Sequence, residues 1–379
     1  MRMPLEGVVV ADFSRVLAGP LASMTLADLG ATVIKVERPG SGDDTRGWGP
    51  PWTDNSSAYF ECANRSKRSV VLDLDDGRDL ELARELARRA DVLVENFRDG
   101  ALVKRGLDYD SVRAGNPGVV YCSISGFGGK AGAALPGYDF LVQAMGGLMS
   151  ITGEADGDPV KVGVAVVDIL TAKDATIGIL AALRARDTTG RGQHIEVNLL
   201  SSLLASLANQ ASAYLATGRA PQRMGNQHPS VAPYETLRCK DADLALACGN
   251  DRQFRRLAEV LGEPALADDE RFATNAARVL NRPAMRTALE DLLAADTASA
   301  WTARLTEAGV PAGQVGDLAD GMRLAASLGL EPTVDVADAP PQVRHPVSYS
   351  DTPVDRYTAP PRLGQHSDEI RRWLEEEIR

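Results

Sequence analysis

Apolar and polar positions along the first third of the chain predict strands that are separated by helices. Short, nearly continuous apolar runs are typical of strands buried in a parallel sheet. Five such runs are Gly7–Phe13, Ala31–Glu37, Ser69–Leu74, Val92–Glu95 and Val119–Ile124. A helix that begins near Gly19-Pro20 and stops at Gly30 follows the first run, and an amphipathic helix over Asp79–Ala90 follows the third. This alternation predicts an α/β fold with a parallel sheet.

A longer helix is predicted further along, over Asp168–Arg186. Its apolar stripe consists of Ile169, Ile177, Leu180 and Leu183. An extended segment follows from His194, and another helix comes after it. These elements extend the same α/β domain, for which we predict the boundaries 1–221.

The character of the chain changes near Gln222. Two short antiparallel strands are predicted around the turn at Asp241-Ala242. Three helical patterns follow, over Arg252–Leu261, Pro283–Ala294 and Ser299–Ala308. We therefore predict a smaller α+β domain over 222–333. The proline-rich remainder, 334–379, ends in an amphipathic helix over Ser367–Arg379 and is expected to return to the large domain.

The composition is that of a soluble globular protein, with 44% apolar and 25% charged residues among 379. The net charge of −11 disfavours non-specific nucleic-acid binding, which needs a basic surface. The four cysteines form no Cys-x-x-Cys pair, which favours reduced thiols over a metal site or disulfides. For the same reason we expect no bound metal. Since no signal-peptide pattern and no long apolar run is present, we expect a cytoplasmic protein with no membrane span.

Basic side chains are concentrated near the ends of the predicted strands and helices. They are Arg15, Arg38, Arg46, Arg65, Lys67, Arg68, Lys104 and Arg105. Ligands of open α/β sheets bind beyond the carboxyl ends of the strands, so this group indicates an anionic ligand. The glycine fingerprint for dinucleotides is absent after the first strand, and so is the Walker pattern, which disfavours an oxidoreductase.

Two carboxylates are candidates for chemistry. Asp168 ends the apolar run VGVAVVD where the long helix begins, and Asp139 lies within GYDFLVQAMGG. Either residue can cap a helix, because aspartate accepts hydrogen bonds from first-turn amides, and spacing alone favours that role for Asp168. The alternative for Asp168 is a nucleophilic carboxylate shielded from water.

Several longer stretches are specific in combination. In order, they include PLEGVVVADFSRVLAGP, LGATVIKVERPGSGDDTRGWGPP, NRSKRSVVLDL, VENFRDGAL, GYDFLVQAMGGLMSITG and VGVAVVDILTAKDATIGILAALRARDTTGRGQHIEVNLL. Together they resemble the family III CoA-transferases, the CaiB/BaiF family, over nearly the whole chain. The resemblance implies an enzyme that moves CoA between a thioester and a free carboxylic acid. It also implies an interlocked homodimer whose subunits have a Rossmann-like large domain and a smaller domain.

The resemblance implies that Asp168 is the nucleophile, which would pass through anhydride and aspartyl-CoA intermediates. Because such intermediates hydrolyse readily, the site should exclude water. We expect backbone amides at the head of the Asp168 helix, together with nearby glycines, to stabilise the developing oxyanion. CoA is implied as a substrate and not as a permanently bound cofactor. The implied CoA contacts are Leu17, Ala18, Arg38, Leu72, Asn96, Phe97, Tyr138 and one or both of Lys104 and Arg105.

Two positions bear on the branch of the family. Racemases of the family carry histidine and glutamate where this chain has Tyr138 and Asn250, and neither replacement is a good proton shuttle near neutral pH. This favours CoA transfer over a racemase-type activity. A catalytically silent CoA-ester binding protein, in which Asp168 only caps its helix, is a further alternative.

The segment RMGNQHPSVAPYET indicates the class of acceptor acid. It lacks the glycine-rich run of the oxalate-handling formyl-CoA transferases. Together with CGNDRQF, it resembles the succinate–hydroxymethylglutarate (glutarate) branch. We therefore expect succinyl-CoA as donor and a dicarboxylate as acceptor, with Arg46 and His228 as candidates for binding the distal carboxylate.

Overall fold

The computed structural model describes residues 3–376. Its strands are β1 Val9–Asp12, β2 Thr32–Glu37, β3 Lys67–Val71, β4 Val92–Glu95, β5 Val120–Ser125, β6 His194–Asn198, β7 Tyr234–Arg238, β8 Asp243–Ala247, β9 Ala312–Gln314, β10 Thr333–Val334 and β11 Gln342–Val343. Its α-helices are α1 Ala18–Asp28, α2 Ala58–Glu61, α3 Gly77–Arg89, α4 Tyr109–Gly115, α5 Asp139–Met145, α6 Leu148–Ile151, α7 Val166–Thr189, α8 Leu199–Ser206, α9 Ala208–Thr217, α10 Asp251–Val260, α11 Asn275–Leu280, α12 Arg282–Leu293, α13 Ala298–Glu307, α14 Leu318–Ser327 and α15 Ser367–Glu375.

The chain forms two compact units. The first unit takes the chain up to Leu148, then Lys161–Arg219, and then the part from Glu331 onward. The second unit consists of Met149–Val160 and Ala220–Leu330. Within the described residues, no helix is both long enough and apolar enough to cross a membrane.

The first unit is built on a six-stranded parallel sheet with the order β3-β2-β1-β4-β5-β6. This confirms the predicted α/β class, and all five predicted apolar runs contain strands, although β3 begins at Lys67 and not at Ser69. The strand order reverses between β1 and β4, since the chain runs outward from β1 in both directions. Such a switch point leaves a crevice beyond the carboxyl ends of the two strands, where ligands of this fold class bind.

Helices cover both faces of the parallel sheet. On one face, α1 and α7 pack together over a core that includes Val10, Leu26 and Ile179. The opposite face is covered by α3 and by α15, whose Leu374 is fully buried. The last three residues of the predicted C-terminal helix, 377–379, lie outside the described residues.

Helix α7 confirms the predicted long helix, but one position of its predicted apolar stripe is wrong. Ile177 is 65% exposed, whereas Ala172, Ala175 and Ile179 are buried. The buried face carries mainly small side chains, because α7 packs closely against α1, which is also rich in small residues. A search for large apolar residues at helical spacing therefore selects the wrong face at this position.

The second unit contains the antiparallel sheet β7-β8-β9. Helices α10, α12 and α13 begin within one residue of the three predicted helical patterns. Their buried residues, among them Phe254, Leu289 and Trp301, form one core with the sheet. The third strand, β9, was not predicted.

Candidate active site

A cavity of about 980 Å³ opens beyond the carboxyl ends of β1, β4, β5 and β6 in the first unit. Its walls come from the loop after β1, the loop after β4 and the glycine-rich segment after β5. Asp168 of α7 contributes to the lining. The cavity therefore includes the switch point between β1 and β4, and its volume suits a small-molecule ligand.

Asp168 is the most perturbed carboxylate of this cavity. It is the third residue of α7, and only 8% of it is exposed. Burial, together with the negative charge of Asp139, raises the pKa of Asp168 to about 7. No group among the described residues donates a hydrogen bond to its carboxylate. A buried carboxylate with a perturbed pKa that faces a cavity is a candidate for a functional role.

Asp139, and not Asp168, caps α7. Its Oδ1 accepts hydrogen bonds from the amides of Val167 at 2.7 Å and Asp168 at 3.2 Å. Its Oδ2 accepts from the buried Gln143 side chain at 2.6 Å, and Gln143 in turn accepts from the Val162 amide at 2.9 Å. The expectation from spacing that Asp168 is a helix cap is therefore wrong, and the capping role falls to the second candidate.

The amides at the head of α7, which we expected at the oxyanion site, already have acceptors, whereas several glycines, the other expected group, line the cavity. The Val167 and Asp168 amides bind Asp139. The Val166 amide donates to the carbonyl oxygen of Val164, and the Ile169 amide donates to that of Ala165. A developing negative charge on the substrate must therefore be stabilised by other groups.

Tyr59 interacts electrostatically with Asp168, and the sequence analysis did not identify it as a site residue. Burial raises the pKa of Tyr59 to about 12, with further contributions from Asp168, Cys62 and Asp139. The indole of Trp48 packs edge-to-face on the phenol ring at 5.2 Å between centroids. Tyr59 belongs to the four-residue helix α2, which is too short to leave a periodic pattern in the sequence.

Five of the residues that the resemblance implies as CoA contacts line the cavity together with Asp168. They are Leu17, Ala18, Asn96, Phe97 and Tyr138. Asn96 also joins two walls, because its side chain accepts from the Arg15 amide at 2.9 Å and donates to the Arg15 carbonyl at 2.7 Å. The Arg15 guanidinium lies over the Phe97 ring at 5.5 Å.

The remaining implied contacts do not line this cavity. Arg38 binds Asp44, which does line it, and donates to Ser41 at 2.7 Å. Leu72 is 1% exposed within the core. Lys104 is exposed. Arg105 forms an ion pair with Asp75 at 2.5 Å, so it is less available to a ligand than Lys104.

The two candidates for a distal carboxylate are placed differently. Arg46 donates from Nε and Nη2 to both oxygens of Glu37 at 2.7 Å, and its guanidinium lies 3.7 Å from the centre of the Phe60 ring. These contacts hold the Arg46 guanidinium within the first unit, where Arg46 also lines a second cavity of about 450 Å³. His228 belongs to the second unit, where its ring lies 5.2 Å from that of Tyr234.

Several of the basic residues identified in the sequence are used internally. Arg65 binds Asp28 at 2.5 Å, Lys67 binds Asp12 at 3.0 Å, and Arg68 pairs with Glu369. The group therefore does not converge on one ligand site. The four cysteines are free thiols, and the described residues contain no cluster of three or more side chains suited to a metal ion.

Comparison with known proteins decides the family. The model of CoA-transferase family III matches residues 5–367. The protein belongs to CoA-transferase family III. Among similar family members, the succinate–glutarate CoA-transferase of Agrobacterium fabrum is 46% identical over 98% of this chain and 96% of that protein. The acetyl-CoA:oxalate CoA-transferase of Acetobacter aceti is 42% identical over 85% of this chain and 83% of that protein.

A solved structure supports the same assignment. The CaiB/BaiF family protein from Brucella suis shares 46% identity, with a TM-score of 0.89, over 99% of this chain and 100% of that one. This family III CoA-transferase is thus an α/β enzyme that acts on CoA thioesters. Its cavity holds an aspartate with a raised pKa, Asp168, at the carboxyl edge of the parallel sheet.

Proposed function

We propose that this enzyme transfers CoA from succinyl-CoA to a second dicarboxylic acid of the glutarate type, with Asp168 as the nucleophile. The observation that carries the proposal is the state of Asp168: it is buried at the cavity, receives no hydrogen bond from the described residues, and has a raised pKa. The substrates follow the name of the Agrobacterium fabrum relative and the resemblance of the PSVAPYET and CGNDRQF segments.

The reaction proceeds by four acyl transfers. The Asp168 carboxylate attacks the thioester carbonyl, forming a mixed anhydride as the carbon–sulfur bond breaks and CoA thiolate leaves. The thiolate attacks the aspartyl carbonyl and releases the donor acid. The acceptor carboxylate then attacks this aspartyl thioester, giving a second anhydride and CoA thiolate. Attack of the thiolate on the acceptor carbonyl forms the new thioester and frees Asp168. Each step forms one bond and breaks one, without net proton transfer.

The cavity walls support the binding part of the proposal. Leu17, Ala18, Asn96, Phe97 and Tyr138 are the CoA contacts that line it. Arg38, Lys104 or Arg105, and Leu72 complete the proposed set outside the cavity. Tyr59 keeps its proton at neutral pH because its pKa is about 12, so it is a neutral phenol close enough to Asp168 for the two groups to interact electrostatically.

The proposed enzyme is a cytoplasmic homodimer of interlocked subunits. The free thiols support a reducing compartment. Large apolar side chains that are exposed in the first unit support a second copy of the chain as their partner. They are Tyr138, Phe140, Met145, Val164 and Ile177.

Trapping of the acyl-enzyme tests the proposal. The enzyme is incubated with succinyl-CoA and then with hydroxylamine, and the peptide that contains Asp168 is analysed by mass spectrometry. We expect a hydroxamate at Asp168 only when the thioester is present. Asp168→Ala should lose turnover and labelling but keep CoA binding, whereas Asp174→Ala, an exposed position on the same helix, should behave like the wild type. An unlabelled Asp168 during steady turnover contradicts the mechanism.

The same assay separates the alternatives. A silent binding protein binds CoA without exchange or labelling, and a racemase exchanges deuterium at the α-carbon of the acyl group. Offering glutarate, hydroxymethylglutarate and oxalate as acceptors tests the substrate class. Preference for oxalate over both longer acids contradicts the proposed acceptor.

A further inference from the structure

Two ion pairs are buried beneath the loop that joins β1 to α1. Lys35 lies 2.8 Å from Asp43, Lys67 lies 3.0 Å from Asp12, and none of the four side chains is exposed. Burying charges is costly, and a buried pair is often no more stable than apolar residues of the same volume. These pairs therefore have a role that stability alone does not explain. The Lys35–Asp43 pair directly contacts a cavity wall, because Asp43 accepts from the amide of Val16, which lines the cavity.

Asp43 and Lys35 bind the backbone on either side of Arg15, Asp43 at the Val16 amide and Lys35 at the Ser14 carbonyl. Both carboxylate oxygens of Asp43 accept from the Val16 amide at 3.3 Å. The Lys35 ammonium group donates to the Ser14 carbonyl at 2.9 Å as well as pairing with Asp43. The loop is thus bound on both sides by one neutralised pair.

Val16 has a conformation that this pair must maintain. Its φ is +72°, in the left-handed region. A β-branched residue is a rare outlier there, because its Cβ substituents crowd the backbone. Val16, Leu17 and Ala18 all line the cavity. Relaxation of Val16 to a negative φ would turn the Leu17 and Ala18 backbone away from its present place in the wall.

We propose that the Lys35–Asp43 pair is a positioning device, which keeps Val16 left-handed and so presents the Arg15–Ala18 wall ready-formed to the acyl-CoA. This inference rests on the proposed function for the identity of the ligand. When only a fraction of the free protein has the conformation that binds the ligand, the apparent affinity falls by that fraction. A wall that is already formed before binding avoids this loss of affinity. Lys35 and Asp43 act through the loop and do not touch the ligand.

The test compares Asp43→Leu, which has a similar shape but no acceptor for the Val16 amide, with the wild type by calorimetric CoA binding and by steady-state kinetics. We expect CoA affinity and the KM for succinyl-CoA to worsen roughly tenfold, with kcat within about twofold, because the bound wall is unchanged but fewer free molecules hold it. Adding Val16→Gly to Asp43→Leu should recover most of the lost affinity, since glycine adopts a positive φ without the Cβ penalty.

Thr45→Val is the matched control. It removes the 2.8 Å hydrogen bond from the Thr45 hydroxyl to the same carboxylate but leaves the loop contacts in place. We expect a lower melting temperature with unchanged CoA affinity. If Asp43→Leu does not fold, Lys35→Met combined with Asp43→Leu replaces it, because removing both charges leaves no unpaired ion.

Three results overturn the inference. They are wild-type CoA affinity in the folded Asp43 variant, failure of Val16→Gly to restore the affinity, and an equal loss in Thr45→Val. Failure of the proposed function is a separate outcome, because it appears as absence of succinyl-CoA turnover in the wild type itself.

Discussion

At the residue scale, two aspartates of the same cavity region have opposite roles because their hydrogen bonds differ. Asp139 accepts from two amides and one side chain, whereas Asp168 accepts none from the described residues. The sequence places both residues near helix starts, so it predicts capping but not which one caps. That choice depends on how α5 approaches α7, which spacing within α7 does not contain.

The raised pKa of Asp168 predicts a conflict between activity and stability. The folded pKa is about 7 and the ordinary value is 3.8, so the unfolded chain releases this proton at lower pH than the folded protein. The free energy of unfolding that this group contributes in its protonated form is therefore lost as the pH rises from about 3.8 to about 7. We expect Asp168→Asn to abolish transfer yet to increase the free energy of unfolding at pH 8.5, by up to about 4 kcal/mol.

Denaturant unfolding of the wild type and Asp168→Asn at pH 5.5 and pH 8.5 checks this prediction. The gain should shrink at the lower pH, where the wild-type carboxyl is mostly protonated in the folded state. A gain of equal size at both values would show that ionisation of Asp168 is not its cause.

The charge of Asp139 predicts a shift in the pH dependence of catalysis. Asp139 contributes to the raised pKa of Asp168, so Asp139→Asn should lower that pKa and move the acidic limb of kcat/KM to lower pH. The asparagine oxygen can still cap α7, so we expect a loss of about 1 kcal/mol or less in stability. A pH profile of kcat/KM is the measurement, with Asp174→Asn as control. An unmoved limb contradicts the electrostatic role.

At the element scale, the apolar runs predict the strands of the parallel sheet well, because strands buried on both faces have little polar content. The failures have local causes. Ile177 is exposed because α7 packs through alanines. Strand β2 buries Lys35 and Glu37, whose partners lie on other loops and strands, so no pattern within β2 predicts their burial. Helix α5 was not predicted, because it is only seven residues long and ends at Gly146, which is too short for a clear apolar period.

The backbone just after β5 packs against the backbone before Tyr138 at two glycines, Gly126 and Gly137. A Cβ on Gly137 would lie 2.6 Å from the Gly126 Cα, so the two backbones approach more closely than any side chain allows. We expect Gly137→Ala to displace the segment that leads to Tyr138, costing about 1–3 kcal/mol of stability and at least tenfold in kcat/KM. Gly77→Ala, which meets no atom within 4 Å, is the control. Equal behaviour of the two variants in unfolding and transfer assays contradicts this account.

At the scale of the whole molecule, the proposed homodimer would cover large apolar side chains that are exposed in a single chain. Ile177 is 65% exposed and Met145 is 62% exposed, and both are on helices of the first unit. We expect light scattering after size-exclusion chromatography to give twice the mass of one chain, and Ile177→Arg to reduce the dimer fraction. A wild-type mass of one chain contradicts the homodimer. Composition alone does not predict this surface, because single exposed apolar residues are ordinary.

The Asp139 cap on α7 has a consequence for the free-energy profile of the proposed mechanism. Because the first amides of that helix serve another residue, the ionised form of Asp168 receives no stabilisation from them that acylation would forfeit. In the proposed mechanism this keeps the resting enzyme from becoming a deep well before the first transfer. The direction of net exchange is independent of this arrangement, because the concentrations of the two thioesters and the two acids set it for any catalyst.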